Sequence, residues 1–246
     1  MYQLKQHYSR KRVFVTGHTG FKGTWLSHLL LNLGAVVKGY SLAPTEEISL
    51  FDASGIALNM QSEIKDLRDR EALMQSVENF QPDYIFHLAA QPLVRLSYEK
   101  PAETFEVNAI GTANLLDALK TVRQKCNVVL ITTDKVYKNI EQDYPYKESD
   151  RLGGYDPYSA SKACCELVID SYRNSFFNPS NYPSHKKSIA VARAGNVIGG
   201  GDWSKDRLIP DIVKALNKLE TIHIRNPLTI RPWQHVLEPL FGYFLL

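Results

Sequence analysis

Residues 131–137 read ITTDKVY: an apolar run stops at two hydroxyls, a carboxylate and an amine, Thr132, Thr133, Asp134 and Lys135, before Val136 and Tyr137 turn apolar again. In open parallel α/β sheets the carboxyl ends of the strands border the ligand crevice, so an acid and an amine at a strand end point to chemistry. The same two residues also fit a turn that merely closes a strand. Further on, DPYSASKACCE (156–166) separates Tyr158 and Lys162 by four positions, which places both on one face of a helix. A lysine ammonium near a phenol stabilises the phenolate and lowers the tyrosine pKa from about 10 towards neutrality, so Tyr158 becomes a usable base. Taken alone, the spacing equally describes a helix with one aromatic and one solvated amine.

A third stretch is built for a phosphate. GHTGFKG (17–23) sets Gly17, Gly20 and Gly23 between an apolar run and WLSHLLLNLG, with Thr19, Phe21 and Lys22 between the glycines. Glycines here allow a tight turn and let backbone N–H groups approach a pyrophosphate at the helix N-terminus, so dinucleotide binding is expected. His18 is a bulky polar residue inside a loop that works by close backbone approach, and loose cofactor binding is expected from it. The acid that usually holds the adenosine ribose is missing, because AVVKGYSLAPT (35–45) offers none before Glu46. Ser41 can donate there instead, and the spacing does not choose between NAD and NADP. Asp66-Leu67 is a candidate adenine-side contact, and Asp66 fits equally as the N-cap of a helix beginning near Arg68.

The elements that must position these residues alternate along the chain. Strands are expected at 12–16, 35–40, 84–89, 127–132 and 188–193, and helices near 20–33, 68–79, 101–124 and 156–177. Strands that are apolar along their whole length imply a parallel sheet covered on both faces, so the expected fold is α/β, a doubly wound parallel sheet of the Rossmann type. Residues 1–192 form the dinucleotide-binding domain in this reading. Residues 193–246 begin a smaller substrate-binding part, with a glycine-rich loop at 193–203, a helix at 207–219 and a strand at 221–225. An uncapped apolar helix at 238–246 gives the expectation that the chain stops before its domain does.

Composition narrows the class. The chain has 246 residues, 44% hydrophobic and 22% charged, with a formal charge of +3 spread along its length. Lys11-Arg12 and His185-Lys186-Lys187 are too short to argue for nucleic acid. No stretch reaches the roughly 18 apolar residues of a membrane span, and MYQLKQHYSRKR has no signal-peptide core, so a cytoplasmic protein is expected. Cys126, Cys164 and Cys165 have no CxxC spacing, which gives no support to a disulfide framework or a metal site.

Seven stretches from residue 17 to 240 together resemble the extended short-chain dehydrogenase/reductase family of NAD-dependent epimerases and dehydratases: GHTGFKGTWL, HLAAQPLVRLSY, VNAIGTANLLDA, TTDKVY, DPYSASKACCE, RAGNVIGGGDW and RPWQHVLEPL. Lys135, His18 and the last two stretches are similar to the branch that dehydrates CDP-glucose. The resemblance implies bound NAD, held by Gly17 to Gly23, Ser41, Asp66, Leu67, Leu88, Ala89, Ala90, Tyr158 and Lys162. It implies that Tyr158 takes the proton from the sugar 4-hydroxyl, with Thr133 on the same oxygen and Lys162 on the cofactor ribose. Elimination across carbons 5 and 6 then needs a base and an acid side by side, which Lys135 and Asp134 offer, although dTDP-glucose relatives carry Glu where this chain has Lys135. Gln91, Arg95, Asn196, Arg207 and Arg231 are the candidate substrate contacts, and a homodimer through helices 101–124 and 156–177 is implied. A 4-epimerase, a dehydratase of another nucleotide sugar, and an inactive nucleotide-binding remnant are the alternatives.

Overall fold

The computed structural model describes residues 2–246. Helix α1 (Tyr2–Tyr8) leads into β1 (Arg12–Thr16), α2 (Phe21–Asn32), β2 (Val36–Ser41), α3 (Leu50–Ser54), β3 (Gln61–Ile64), α4 (Arg70–Phe80) and β4 (Tyr84–His87). Then come α5 (Val94–Glu99), α6 (Pro101–Phe105), α7 (Gly111–Leu119), β5 (Cys126–Ile131), α8 (Pro157–Ser175), α9 (Tyr182–His185) and β6 (Lys187–Ala192). The remaining elements are β7 (Asn196–Ile198), α10 (Leu208–Asn217), β8 (Trp233–His235) and α11 (Leu237–Leu245).

Strand order in the main sheet is β3-β2-β1-β4-β5-β6, and every pairing is parallel. This is the doubly wound order expected, with the crevice at the switch between β1 and β4. Alternation along each strand divides the core in two. Phe14, Val128 and Leu130 face a cluster with α4, α7 and α8, while Val13, Val15, Val129 and Ile131 face one with α1, α2 and α11. Because side chains alternate with period two, a strand apolar throughout fills both layers.

The differences from expectation have physical causes. Strand β3 has no apolar run to announce it, since QSEI is half-exposed and paired only at the sheet edge. Residues 221–225 form no strand. Ile222 and Ile224 are 37% and 49% exposed, and the peptide groups find no neighbouring strand there. Strands β7 and β8 pair with each other in a small parallel ribbon. The helix expected at 101–124 ends at Leu119 and passes through a π-helical turn at Glu106–Ile110. Helix α4 starts at Arg70 with Asp69 as its N-cap, the carboxylate accepting from Ala72 N at 3.0 Å, so Asp66 is not the cap. Residues after 193 do not all stand apart, because Val236, Leu240, Tyr243 and Phe244 pack back among Val13, Val15 and Phe86.

Candidate active site

The glycine loop joins β1 to α2 and is closed by its own backbone. Gly17 has φ +75, and a Cβ on it would sit 2.7 Å from Ala89 N, so the loop lies directly on the end of β4. A Cβ on Gly23 would fall 1.9 Å from Gly17 O, which fixes how closely α2 approaches the loop. Gly20, the N-cap of α2, has open space around its missing Cβ apart from Gly17 O at 3.5 Å, and no side chain caps the helix. The first-turn N–H groups therefore remain available, and the cradle fits a pyrophosphate. Thr19 and Ser41 meet at 2.9 Å between hydroxyl oxygens beside it.

His18 does not crowd this cradle. Its ring is fully buried on Gly39 of β2, where a Cβ would stand 2.2 Å from the imidazole, and it packs edge-on against Phe51. Nε2 lies 2.7 Å from Ser62 Oγ in β3, and burial lowers the imidazole pKa to about 4. Gly39 leaves the slot that turns the ring away from the loop. Asp66 is held by Arg68, whose guanidinium donates at 2.6 Å, and the buried Leu67 side chain belongs to the core against Gly111.

At the end of β5, Thr133 caps a single 3₁₀ turn, Asp134–Val136, and its hydroxyl donates to Asp134 Oδ1 at 3.0 Å. Asp134 and Lys135 enter a cavity of about 800 Å³ that is also lined by Lys22, Leu88, Ala90, Tyr158 and Lys162. Lys135 Nζ lies 6.0 Å from the Tyr158 ring centroid. Burial holds the Lys135 pKa below its ordinary value; Arg231 and Arg207 push the same way, against Asp134 and Asp156. The shift is in the direction that a lysine base requires. Tyr158 differs from expectation: burial pushes its phenol up to about 12, outweighing the Thr133 hydroxyl and the Arg207 charge. Lys162 donates to Ile131 O at 3.3 Å and is itself lowered by burial, so it does not bring the phenol towards neutrality.

Substrate-side candidates divide. Asn196, Arg207, Arg231 and Arg95 all line the cavity, with Arg207 paired to Asp202 at 2.8 Å and Arg95 to Asp206 at 2.9 Å. Gln91 is instead a structural residue. Its amide donates to Thr104 Oγ1 and Leu93 O and accepts from Leu93 N, holding the turn after β4. Lys22, in the glycine loop, is lowered to about 8 by burial and by Lys162 and Arg207. Two residues carry roles the motifs did not reveal. Arg225 reaches Asp206 and Asp211 across the cavity wall. Asn108 stands in the π-helical turn, donates to Ser161 Oγ at 2.8 Å and accepts from Gln91 N at 2.8 Å, joining α8 to the turn after β4. The π-turn was the only signal for Asn108, and it is visible only in the fold.

This chain is 55% identical, over 98% of its length and 67% of the relative's, to a CDP-glucose 4,6-dehydratase of Salmonella typhimurium. It superposes with TM-score 0.80 on a dTDP-glucose 4,6-dehydratase of Streptomyces venezuelae with NAD bound, at 25% identity, covering 95% of this chain and 71% of that one. The same score and identity relate it to a Thermus thermophilus UDP-glucose 4-epimerase in complex with NAD, over 95% of this chain and 73% of that one. The family described as GDP-mannose 4,6 dehydratase matches residues 14–239, and it is to this family, within the extended short-chain dehydrogenases/reductases, that the chain belongs.

Proposed function

We propose that the chain binds NAD on its glycine loop and converts CDP-glucose to CDP-4-keto-6-deoxyglucose. The observation that carries this reading is the convergence of Tyr158, Thr133, Asp134 and Lys135 on one cavity beside that loop. A 4-epimerase has no need of an acid and an amine together there. NAD, when bound, supplies reversible hydride acceptance. Tyr158 removes the proton of the 4-hydroxyl, steadied by Thr133 on the same oxygen. A phenol near 12 is a poor base at neutral pH, and positive charge brought into this buried site is what would lower it. Lys135, neutral, then takes the carbon-5 proton and Asp134, entering as the acid, protonates the departing 6-hydroxyl, which leaves as water. The same amine returns the proton to carbon 5 as carbon 6 is reduced, and the proton that Tyr158 took from the 4-hydroxyl balances, through solvent, the one Asp134 gave. Oxidation and reduction cancel, so cofactor is not consumed.

Arg207, Arg231, Arg95 and Asn196 are the proposed contacts for the diphosphate and nucleotide, since guanidinium forks match phosphate oxygens. The relative at 55% identity supports cytosine as the base. A homodimer through α6–α7 and α8 is part of the proposal, supported by Ile110 and Leu167, which are 56% and 62% exposed on those helices. The test is incubation with NAD and either CDP-glucose or UDP-glucose, read by the absorbance of a 4-keto product in alkali. Product from CDP-glucose alone is expected. Product from UDP-glucose alone, or a C4 epimer in place of a 4-keto sugar, overturns the assignment.

A further inference from the structure

Behind the reaction cluster lies a buried ion pair that the proposed chemistry does not use. Glu166 is four residues beyond Lys162 on α8, and Arg193 follows the end of β6. Their contact is bidentate: Arg193 Nε donates to Oε1 at 2.8 Å and Nη2 to Oε2 at 2.6 Å, with side chains only 16% and 7% exposed. The pair then reaches both ends of the TTDKVY stretch. Thr132 Oγ1 donates to Glu166 Oε1 at 2.6 Å, and Arg193 Nη1 donates to the Tyr137 hydroxyl at 2.8 Å, with the guanidinium carbon 4.8 Å from the centroid of the Tyr137 ring. Thr132 immediately precedes Thr133, Asp134 and Lys135, and Tyr137 ends their 3₁₀ turn.

We propose that Glu166 and Arg193 are positioning residues which, by pinning Thr132 and Tyr137, hold Asp134 and Lys135 at the cavity and so set the rate of elimination apart from that of hydride transfer. The selectivity follows from where the pins act. Tyr158 and Lys162 ride on a helix of 19 residues, held in register by its own backbone hydrogen bonds. Asp134 and Lys135 lie in a three-residue turn supported by the Thr133 cap and by three backbone bonds, Asp134 N to Ala194 O at 3.2 Å, Val136 N to Thr133 O at 3.3 Å and Gly153 N to Val136 O at 2.8 Å, none of which holds the Lys135 carbonyl or side chain. A base displaced by about 1 Å loses much of its effect. Backbone pairing anchors Thr132 N on Ala192 O at 2.9 Å, so the strand end persists when the side-chain clamp is loosened.

The inference rests on the dehydratase reading for its consequence but not for its geometry, and the test separates the two. Tyr137→Phe removes one hydroxyl, and Glu166→Gln keeps the shape while losing the charge. Arg193→Ala leaves Glu166 a buried unpaired charge and risks misfolding, so it is not used. Two readouts are taken on each folded variant. In the first, single-turnover nicotinamide absorbance and carbon-5 deuterium exchange with CDP-glucose report hydride transfer and proton removal separately. Exchange is expected to fall about tenfold further than hydride transfer in both variants, and equal falls overturn the proposal. In the second, competitive acetylation with mass spectrometry titrates the Lys135 amine without any substrate. Asp134, Asp156, Arg207 and Arg231 all face that amine, so a turn that relaxes towards solvent moves its midpoint up. A midpoint unchanged from the parent chain in both variants overturns the clamp, whatever the turnover. A parent chain that makes no product while the midpoint still moves in the variants removes the dehydratase reading and leaves the clamp standing.

Discussion

The glycine loop and the end of β5 both border one crevice, yet they are built on opposite plans. The loop works with backbone: its glycines meet Ala89 N and Gly17 O at distances that leave no room for a Cβ, and its ligand-facing groups are amides. The end of β5 works with side chains, its own and those α8 brings to it, and burial alters their acidity: Tyr158 is pushed up, and Lys135 and Lys162 are pushed down. Backbone dipoles carry no protons to lose, so a cradle made from them is insensitive to pH. Proton-moving side chains need the desolvation that a dry crevice wall supplies. One region holds by shape, and the other reacts through shifted acidity.

Substitutions can break this contrast, in descending order of expected effect. Tyr158→Phe removes the phenol from the reacting side only. Hydride transfer is expected to fall about ten-thousandfold, the upper end for a general base, with NAD affinity unchanged by calorimetry. Affinity falling in step with rate would mean that the two regions are not separate. Lys135→Ala should leave oxidation intact and slow elimination about a hundredfold to a thousandfold, so that reduced nicotinamide accumulates in a single turnover. Lys135→Glu, which puts a carboxylate in its place, should recover part of the loss. Unchanged carbon-5 exchange in Lys135→Ala would leave that amine an electrostatic role alone.

On the holding side, His18 links the loop to β2 and β3. Its folded pKa of about 4 lies below the ordinary 6.5, so protonation favours the unfolded chain. The contribution to stability is whole above pH 6.5 and is lost as pH falls towards 4, on the order of 3 kcal/mol. Urea unfolding of the parent chain should weaken across that window, and His18→Gln should weaken by about 3 kcal/mol less. His87, lowered to about 3 by burial and by Lys162, acts in the same direction and stays in both proteins, so the difference isolates His18. An equal decline in both would show that the ring is not held neutral. The smallest effect belongs to Arg95→Ala at the rim. Its pair with Asp206 has side chains 64% and 38% exposed, so stability should change by less than about 1 kcal/mol by thermal unfolding. KM for the nucleotide sugar should rise severalfold.

Much of this was legible as pattern. Five strands read correctly because each is apolar on both faces, whereas β3 did not because three of its four residues are polar and it lies at an edge. Tyr158, Lys162, Thr133, Asp134 and Lys135 were legible as a set because helix spacing and a strand end are local properties. Gln91 and His18 misled for the same reason. A polar residue in a motif reads as a ligand contact, and only its neighbours, Thr104 and Leu93 in one case and Gly39 and Ser62 in the other, show where its polarity goes.

The amino-acid order by itself determined the alternation of strands and helices, the position of the phosphate loop and the chemical kinds of the reacting groups, since all of these depend on residues a few places apart. Tertiary structure decided what those groups are worth. Bringing Arg207 and Arg231 beside Lys135, burying Tyr158, and closing Glu166 on Arg193 behind Thr132 are contacts across 27 to 96 positions of chain, being 166 to 193 at the near end and 135 to 231 at the far end. Desolvation and charge act through space, so no spacing along the chain encodes them.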